Sequence, residues 1–256
     1  MEERKINGIG FMAAKWPLDP ARATIVFIHG SGGTGTFWQA QVAGLAERAN
    51  TLAIDLPGHG RSDGDGKDTI EGYARCVIDA IKRIDVPNPI PCGLSLGGAI
   101  TLQLLLDCPN LLKAGILLST GARLKVAPMI FEALEKDYNA YLTMICELIA
   151  SPTTDSEIIR RWREETARCN PEVTLRDFQA CNRFDVMQHI GTIALPVLVV
   201  SAEDDQLTPT KYGEFLKNSI PKASGSHIMD AGHILPMEKP EEFNRAIKNF
   251  LDHKNL

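Results

Sequence analysis

Ser95 stands at the centre of Gly93-Leu94-Ser95-Leu96-Gly97, a spacing that lets a serine act as a nucleophile. The apolar run Pro89 to Leu94 reads as a strand, and helical spacing begins at Gly98, so the serine falls on a strand-to-helix turn. A side chain presented there sits on strained backbone, and only very small residues two positions before and after it let the chain close so tightly. The start of the following helix adds positive potential, which favours a developing oxyanion near the Leu96 amide.

A serine hydroxyl attacks only when a base takes its proton, and the base needs an acid to orient it. Of the six histidines, His233 is the best sited, on the Gly-containing loop Asp230-Ala231-Gly232-His233 after the last apolar run. His227 lies within that run, His189 in a helical interval, and His253 near an end expected to be disordered. His59, in Asp55-Leu56-Pro57-Gly58-His59-Gly60, and His29, just before Gly30, read as structural loop residues. Carboxylates at Glu203, Asp204 and Asp205 follow the apolar strand Pro196 to Val200, which gives the chain order serine, acid, histidine. The loop His29-Gly30-Ser31-Gly32-Gly33 offers further backbone amides for an oxyanion. It lacks the G-K-[ST] ending of a phosphate loop and is not G-x-G-x-x-G, so nucleotide binding is a weak competitor.

These residues need a scaffold, and the chain supplies one by alternation. Apolar runs of strand length recur at Thr24 to His29, Asn50 to Asp55, Pro89 to Leu94, Lys113 to Thr120, Pro196 to Ser201 and Ser226 to Asp230. Between them lie helical spacings at Phe37 to Ala49, Ile70 to Ile84, Gly98 to Leu106, Thr210 to Asn218 and Pro240 to Leu251. This predicts an α/β fold with a mostly parallel central sheet and helices on both faces. No strand is read between Thr120 and Pro196, where Val126 to Ala150, Asp155 to Cys169 and Leu175 to Ile190 read as helical. Such an insertion is expected to pack over the carboxyl ends of the strands. The division expected is therefore a core of residues 1–121 and 191–256, with a helical cap at 122–190. Met129, Phe131, Tyr138, Tyr141, Met144, Trp162, Phe178 and Met187 are candidates to line an apolar pocket there. Arg123, Arg160, Arg161, Arg163, Arg168, Arg176 and Arg183 read mainly as a solvated cap surface.

Composition excludes several other classes. With 256 residues, 44% hydrophobic and 23% charged, the chain can bury a sizeable core without disulfides or metal. A net charge of -5 with scattered Lys and Arg argues against nucleic acid as a partner. No apolar stretch approaches the roughly 20 residues of a membrane span, and the acidic start Met1-Glu2-Glu3 does not read as a secretory signal. The six cysteines form no C-x-x-C pair and no zinc-ligand grouping, and they read as buried thiols of a cytoplasmic protein.

Taken in order, His29-Gly30, Asp55-Leu56-Pro57-Gly58-His59-Gly60-Arg61-Ser62, Gly93-Leu94-Ser95-Leu96-Gly97-Gly98, Asp205 four residues before Pro209, and Gly232-His233 resemble the α/β-hydrolase family over essentially the whole chain. The resemblance implies a triad of Ser95, Asp205 and His233, selects Asp205 over Asp204, and implies oxyanion donors at the amides of Ser31 and Leu96. It implies no cofactor and no metal, a small-molecule ester substrate and an acyl-serine intermediate. Ala202 departs from the glycine usual in relatives. Ala99 stands where the ring-forming synthase of menaquinone biosynthesis carries arginine, which weakens that reading. Cys92 to Gly98 is similar to enol-lactone hydrolases, and His29 to Gly33 is somewhat similar to ring-cleavage C-C hydrolases. Both remain alternatives to ester cleavage, as does a non-enzymatic ligand receptor on the same fold.

Overall fold

Two strands precede the first apolar run in the computed structural model, which describes residues 1–256. β1 (Glu2–Ile6) and β2 (Ile9–Ala13) form an antiparallel hairpin that no sequence expectation covered. Its turn is Asn7-Gly8, with φ of 49° and 82°, the left-handed pair that a two-residue hairpin demands. β1 is charged and mostly exposed, so it carries no apolar pattern and forms a blunt sheet edge.

The apolar runs become β3 (Thr24–Ile28), β4 (Asn50–Ile54), β5 (Pro89–Leu94), β6 (Gly115–Leu118), β7 (Val197–Ala202) and β8 (Ala223–Ile228). They complete an eight-stranded sheet in the order β1-β2-β4-β3-β5-β6-β7-β8, parallel from β4 through β8. Every residue of β3, β4, β5 and β6 is buried, as strands covered on both faces require. Alternation along β3 divides the core: Val26 and Ile28 point to one face, Ile25 and Phe27 to the other. The last strand begins at Ala223 and ends at Ile228, earlier than the Ser226 to Asp230 expected, because Ser224 and Gly225 pair with β7 despite their polarity.

On the β3 Ile25 face lie α1 (Gln39–Gly44) and α10 (Pro240–Lys254), joined by the short α9 (Leu235–Glu238). His253 is therefore helical, not part of a disordered end. The other face carries α2 (Ile70–Ile84), α3 (Leu96–Asp107) and α8 (Thr210–Ser219). Thr69 starts α2 by accepting from the Gly72 amide at 3.2 Å, and Asp85 ends it in the left-handed region. α3 is buried all round from Leu96 to Leu105, because other helices cover the side turned from the sheet.

Between β6 and β7 run α4 (Pro128–Lys136), α5 (Tyr138–Ile149), α6 (Ser156–Thr166) and α7 (Pro171–Arg183). The single helix expected over Val126 to Ala150 is two, because Asp137 leaves helical backbone and caps α5 through the Asn139 amide at 2.9 Å. Asp155 and Asn170 begin α6 and α7 in the same way. α7 starts and stops earlier than the Leu175 to Ile190 expected, and a 3-10 turn follows at Ile190–Thr192. Where the chain enters and leaves this interval, its strands of backbone meet: the Val186 amide donates to the Ala122 carbonyl at 2.8 Å, and Arg123 bridges Asp185. No helix is long and apolar enough to cross a membrane.

β3 has β4 on one side and β5 on the other, so the sheet order reverses there. A crevice opens beyond the carboxyl ends of strands at such a reversal. Gly30-Ser31 follows β3 and Ser95 follows β5, so both loops lead into it.

Candidate active site

Ser95 is the residue between β5 and α3, at φ 54° and ψ −111°, a conformation that costs a non-glycine residue about 1–3 kcal/mol. Its neighbours explain how the chain reaches it. A methyl group on Gly93 would overlap the Gly97 carbonyl, and one on Gly97 would overlap the Ile28 carbonyl of β3. One on Gly98 would lie 2.5 Å from the Thr120 side chain. The backbone of Ser95 is then fixed: its amide donates to the Leu118 carbonyl at 3.0 Å, and its carbonyl accepts from the Thr120 hydroxyl at 2.8 Å. Only the half-buried side chain is left to face the crevice.

Asp205 lies on the loop after β7 and is 4% exposed. One oxygen accepts from the amides of Leu207 at 3.0 Å and Thr208 at 2.8 Å, and the other from the Thr208 hydroxyl at 2.8 Å. His233 brings Nδ1 to 2.9 and 3.0 Å from the two oxygens. A carboxylate only accepts, so Nδ1 carries a proton, and Nε2 has no protein partner. Burial alone would raise the Asp205 carboxyl; the charge of His233 and hydrogen bonds from His233 and Thr208 outweigh it and hold the carboxyl below its usual value. Asp204 is turned elsewhere: its amide donates to the Ala231 carbonyl, and its carboxylate accepts from the Ser151 hydroxyl at 2.6 Å.

The histidine loop is anchored from two directions. The His233 amide donates to the Ile149 carbonyl at the end of α5 at 2.7 Å, and the Gly232 amide donates to Glu238 at 2.9 Å. Glu238 also accepts from the Ser151 amide and the Thr154 hydroxyl. Ser95 and His233 line one cleft without a hydrogen bond between them in this structure. Such bonds commonly tighten only with substrate bound.

Ser31 belongs to the same cleft, and a side chain on Gly30 would come within 3.6 Å of Ser95 Cβ. The Ser31 amide donates to no protein group. Leu96 is the first residue of α3, so its amide has no intrahelical acceptor. One free amide thus follows Ser95 directly in the chain, and the other lies on a loop that lines the same cleft.

The remaining loop histidines are spoken for. Buried His29 donates from Nδ1 to the Gly30 carbonyl at 2.8 Å, and its Nε2 accepts the Leu56 amide at 3.0 Å. Burial, reinforced by the charge of nearby His59, drives it down to about 3, so it stays neutral. His59 faces acceptors at both nitrogens, the Pro57 carbonyl at 3.1 Å and Asp177 at 2.9 Å, so both are protonated. Burial opposes that charge, but Asp177 more than reverses the effect and lifts His59 well above its ordinary value. Asp177, on α7, was not singled out from the sequence.

The cleft walls around Ser95 and His233 are apolar: Phe37, Tyr141, Ile145, Trp162 and Phe178. A second cavity of about 330 Å³ adjoins it, lined by Leu124, Val126, Met129, Ile130 and Tyr212. Both include Ser95, Phe178 and Leu207, so they meet at the serine. Of the apolar insertion residues named above, Phe131, Tyr138, Met144 and Met187 line neither; Tyr138 instead bonds the Thr166 carbonyl at 2.9 Å. Arg160, Arg168 and Arg183 pair with acidic residues on the surface.

A strained serine on a strand-to-helix turn, a histidine hydrogen-bonded to a buried carboxylate and two backbone amides without protein acceptors thus lie on the loops that follow the parallel strands. A model of the alpha/beta hydrolase family matches residues 25–246, and the chain belongs to that family. It is 25% identical to 3-oxoadipate enol-lactonase 2 of Acinetobacter baylyi over 242 residues, covering 91% of this chain and 90% of that one. It is 23% identical to the pimeloyl-[acyl-carrier protein] methyl ester esterase of Nitrosomonas europaea, covering 86% and 92% of the two chains. Among solved structures, a thermophilic esterase superposes with a TM-score of 0.86 at 30% identity, covering 99% of this chain and 97% of that one.

Two measurements probe this geometry. Gly97→Ala forces a methyl group into the Ile28 carbonyl, so urea denaturation should register a loss of about 3 kcal/mol or more; a loss under 1 kcal/mol means that the turn is not closed this tightly. Because the fold lowers the Asp205 carboxyl, its contribution to stability is full above the unfolded-state value of about 4 and is lost as pH falls through the folded value. The stability gap between wild type and Asp205→Asn should therefore shrink below about pH 4, and a gap constant down to strong acid contradicts this.

Proposed function

We propose that the protein cleaves carboxylic esters of small to medium, largely apolar substrates through an acyl-serine intermediate. The observation that carries the reading is the bond from His233 Nδ1 to the buried Asp205 carboxylate, at 2.9 Å, beside the cleft that Ser95 shares. Ser95 Oγ attacks the ester carbonyl while His233 Nε2 takes its proton, and Asp205 stabilises the imidazolium. The carbonyl oxygen becomes an oxyanion held by the amides of Ser31 and Leu96. His233 then gives the proton to the departing alcohol. Water, deprotonated by His233, attacks the acyl-serine and releases the acid.

The substrate class rests on the apolar walls and on the two cavities that meet at Ser95, since an ester has an acyl and an alcohol arm to seat on either side of its carbonyl. Residues 122–190 act as the cap in this reading, contributing Tyr141, Trp162 and Phe178 to the cleft. Free cysteines, half of them buried, suit a cytoplasmic setting. A second reading, hydrolysis of an enol-lactone, draws support from the similarity to an enol-lactonase over 91% of this chain. It uses the same atoms, with both arms joined in one ring.

Ser95→Ala should fold as wild type and lose about 10³ to 10⁶ in kcat on p-nitrophenyl acetate. Unchanged hydrolysis sinks the assignment, and fluorophosphonate labelling of Ser95 without ester turnover points to a receptor. Asp205→Asn should cost about 10⁴ in kcat through the wrong histidine tautomer, with Asp204→Asn far milder. The reverse ranking would transfer the acid's role to Asp204.

A further inference from the structure

We propose that Asp177 is a positioning residue for the oxyanion site: from α7 of the insertion it fixes the direction of the Ser31 amide through Gly32, His59 and Tyr73. The inference rests on the role proposed for Ser31 above and adds what holds that amide in place.

Asp177 is fully buried and joins three separate pieces of the core. Its Oδ2 accepts from the Gly32 amide at 2.8 Å and from His59 Nε2 at 2.9 Å, and its Oδ1 accepts from the Tyr73 hydroxyl of α2. Ser31 lies between two peptide planes, and both are pinned. The plane that contains the Ser31 amide also contains the Gly30 carbonyl, which accepts from His29 Nδ1 at 2.8 Å and from the Gly33 amide at 3.1 Å. The next plane contains the Gly32 amide, held by Asp177. With both planes anchored, the Ser31 amide has one direction, and it alone of these donors is unspent on the protein.

The insertion packs closely over this loop. Gly32 sits at φ 66°, and a side chain there would lie 3.1 Å from Thr166 and 3.2 Å from Thr174. A buried ion pair is in itself weak support for stability, since apolar residues of the same volume commonly do as well. A doubly protonated His59 on Asp177 does something that an apolar pair cannot: it orients a carboxylate whose remaining lone pairs take a backbone amide and a phenol. Preorganised amides matter most where charge develops, so their misdirection should appear in turnover rather than in substrate binding.

The test is steady-state hydrolysis of p-nitrophenyl esters by Asp177→Asn, together with inhibition by an aryl trifluoromethyl ketone, whose serine adduct carries an oxyanion. Positioning predicts a kcat lowered by about 10- to 100-fold, KM within about threefold, and ketone affinity weakened by the same factor as kcat/KM. A folded Asp177→Asn with kcat within about twofold of wild type overturns the proposal. Tyr73→Phe, which keeps the Gly32 and His59 bonds, covers the case in which Asp177→Asn does not fold. It should lower kcat by about three- to tenfold at constant KM, whereas a lower Tm with unchanged kcat assigns the cluster to stability alone and overturns the proposal. Wild-type turnover that persists in Ser95→Ala would instead remove the hydrolase mechanism itself, and this inference with it.

Discussion

Everything at the site depends on how closely β3, β5 and the start of α3 approach one another. Gly93, Gly97 and Gly98 leave no room for a methyl group against Gly97, Ile28 and Thr120. That closeness forces Ser95 into the left-handed region, and the strain is sustained because the bonds to Leu118 and Thr120 hold its backbone on both sides. The parallel sheet supplies the rest. With β4 and β5 on opposite sides of β3, the Ser31 loop and the Ser95 turn open into one crevice without long excursions.

Two histidine-carboxylate pairs differ in their surroundings. His233 and His59 each bond a buried aspartate, at 2.9 Å in both cases. They differ at the other nitrogen. His59 meets the Pro57 carbonyl there and is held doubly protonated, whereas Nε2 of His233 has no protein partner. Asp177 and the Pro57 carbonyl together occupy both ring nitrogens of His59, whereas only one nitrogen of His233 is engaged.

Much of this was legible in the sequence, for physical reasons that also explain the gaps. Buried parallel strands read as continuous apolar runs, so β3 to β7 could be located to within a few residues. The serine turn was readable because its steric demand leaves glycines at fixed offsets. The pairing of Asp205 with His233 crosses a loop, so no periodicity reports it; His233 and the acidic loop are legible from their places after strands, resemblance selects Asp205 over Asp204, and the two side chains do meet. The β1-β2 hairpin was missed because Glu2 to Lys5 is charged, although Asn7-Gly8 is a hairpin signal in its own right. Asp177 was missed because a lone aspartate in a helix reads as solvated. The signal that could have found it is its position on the same stripe as Val173, Ala180 and Cys181, where a carboxylate has no business without partners.

The tether from Ile149 to His233 has a consequence for how this architecture can be varied. Here the segment from Ile149 to Thr154 shares Glu238 with the Gly232 amide and engages Asp204 through Ser151. The insertion is therefore part of the mould in which the histidine loop is cast. A chimera that replaced this segment would inherit new cleft walls and an unsupported histidine loop together, unless the junction were moved to leave residues 149–154 with the sheet.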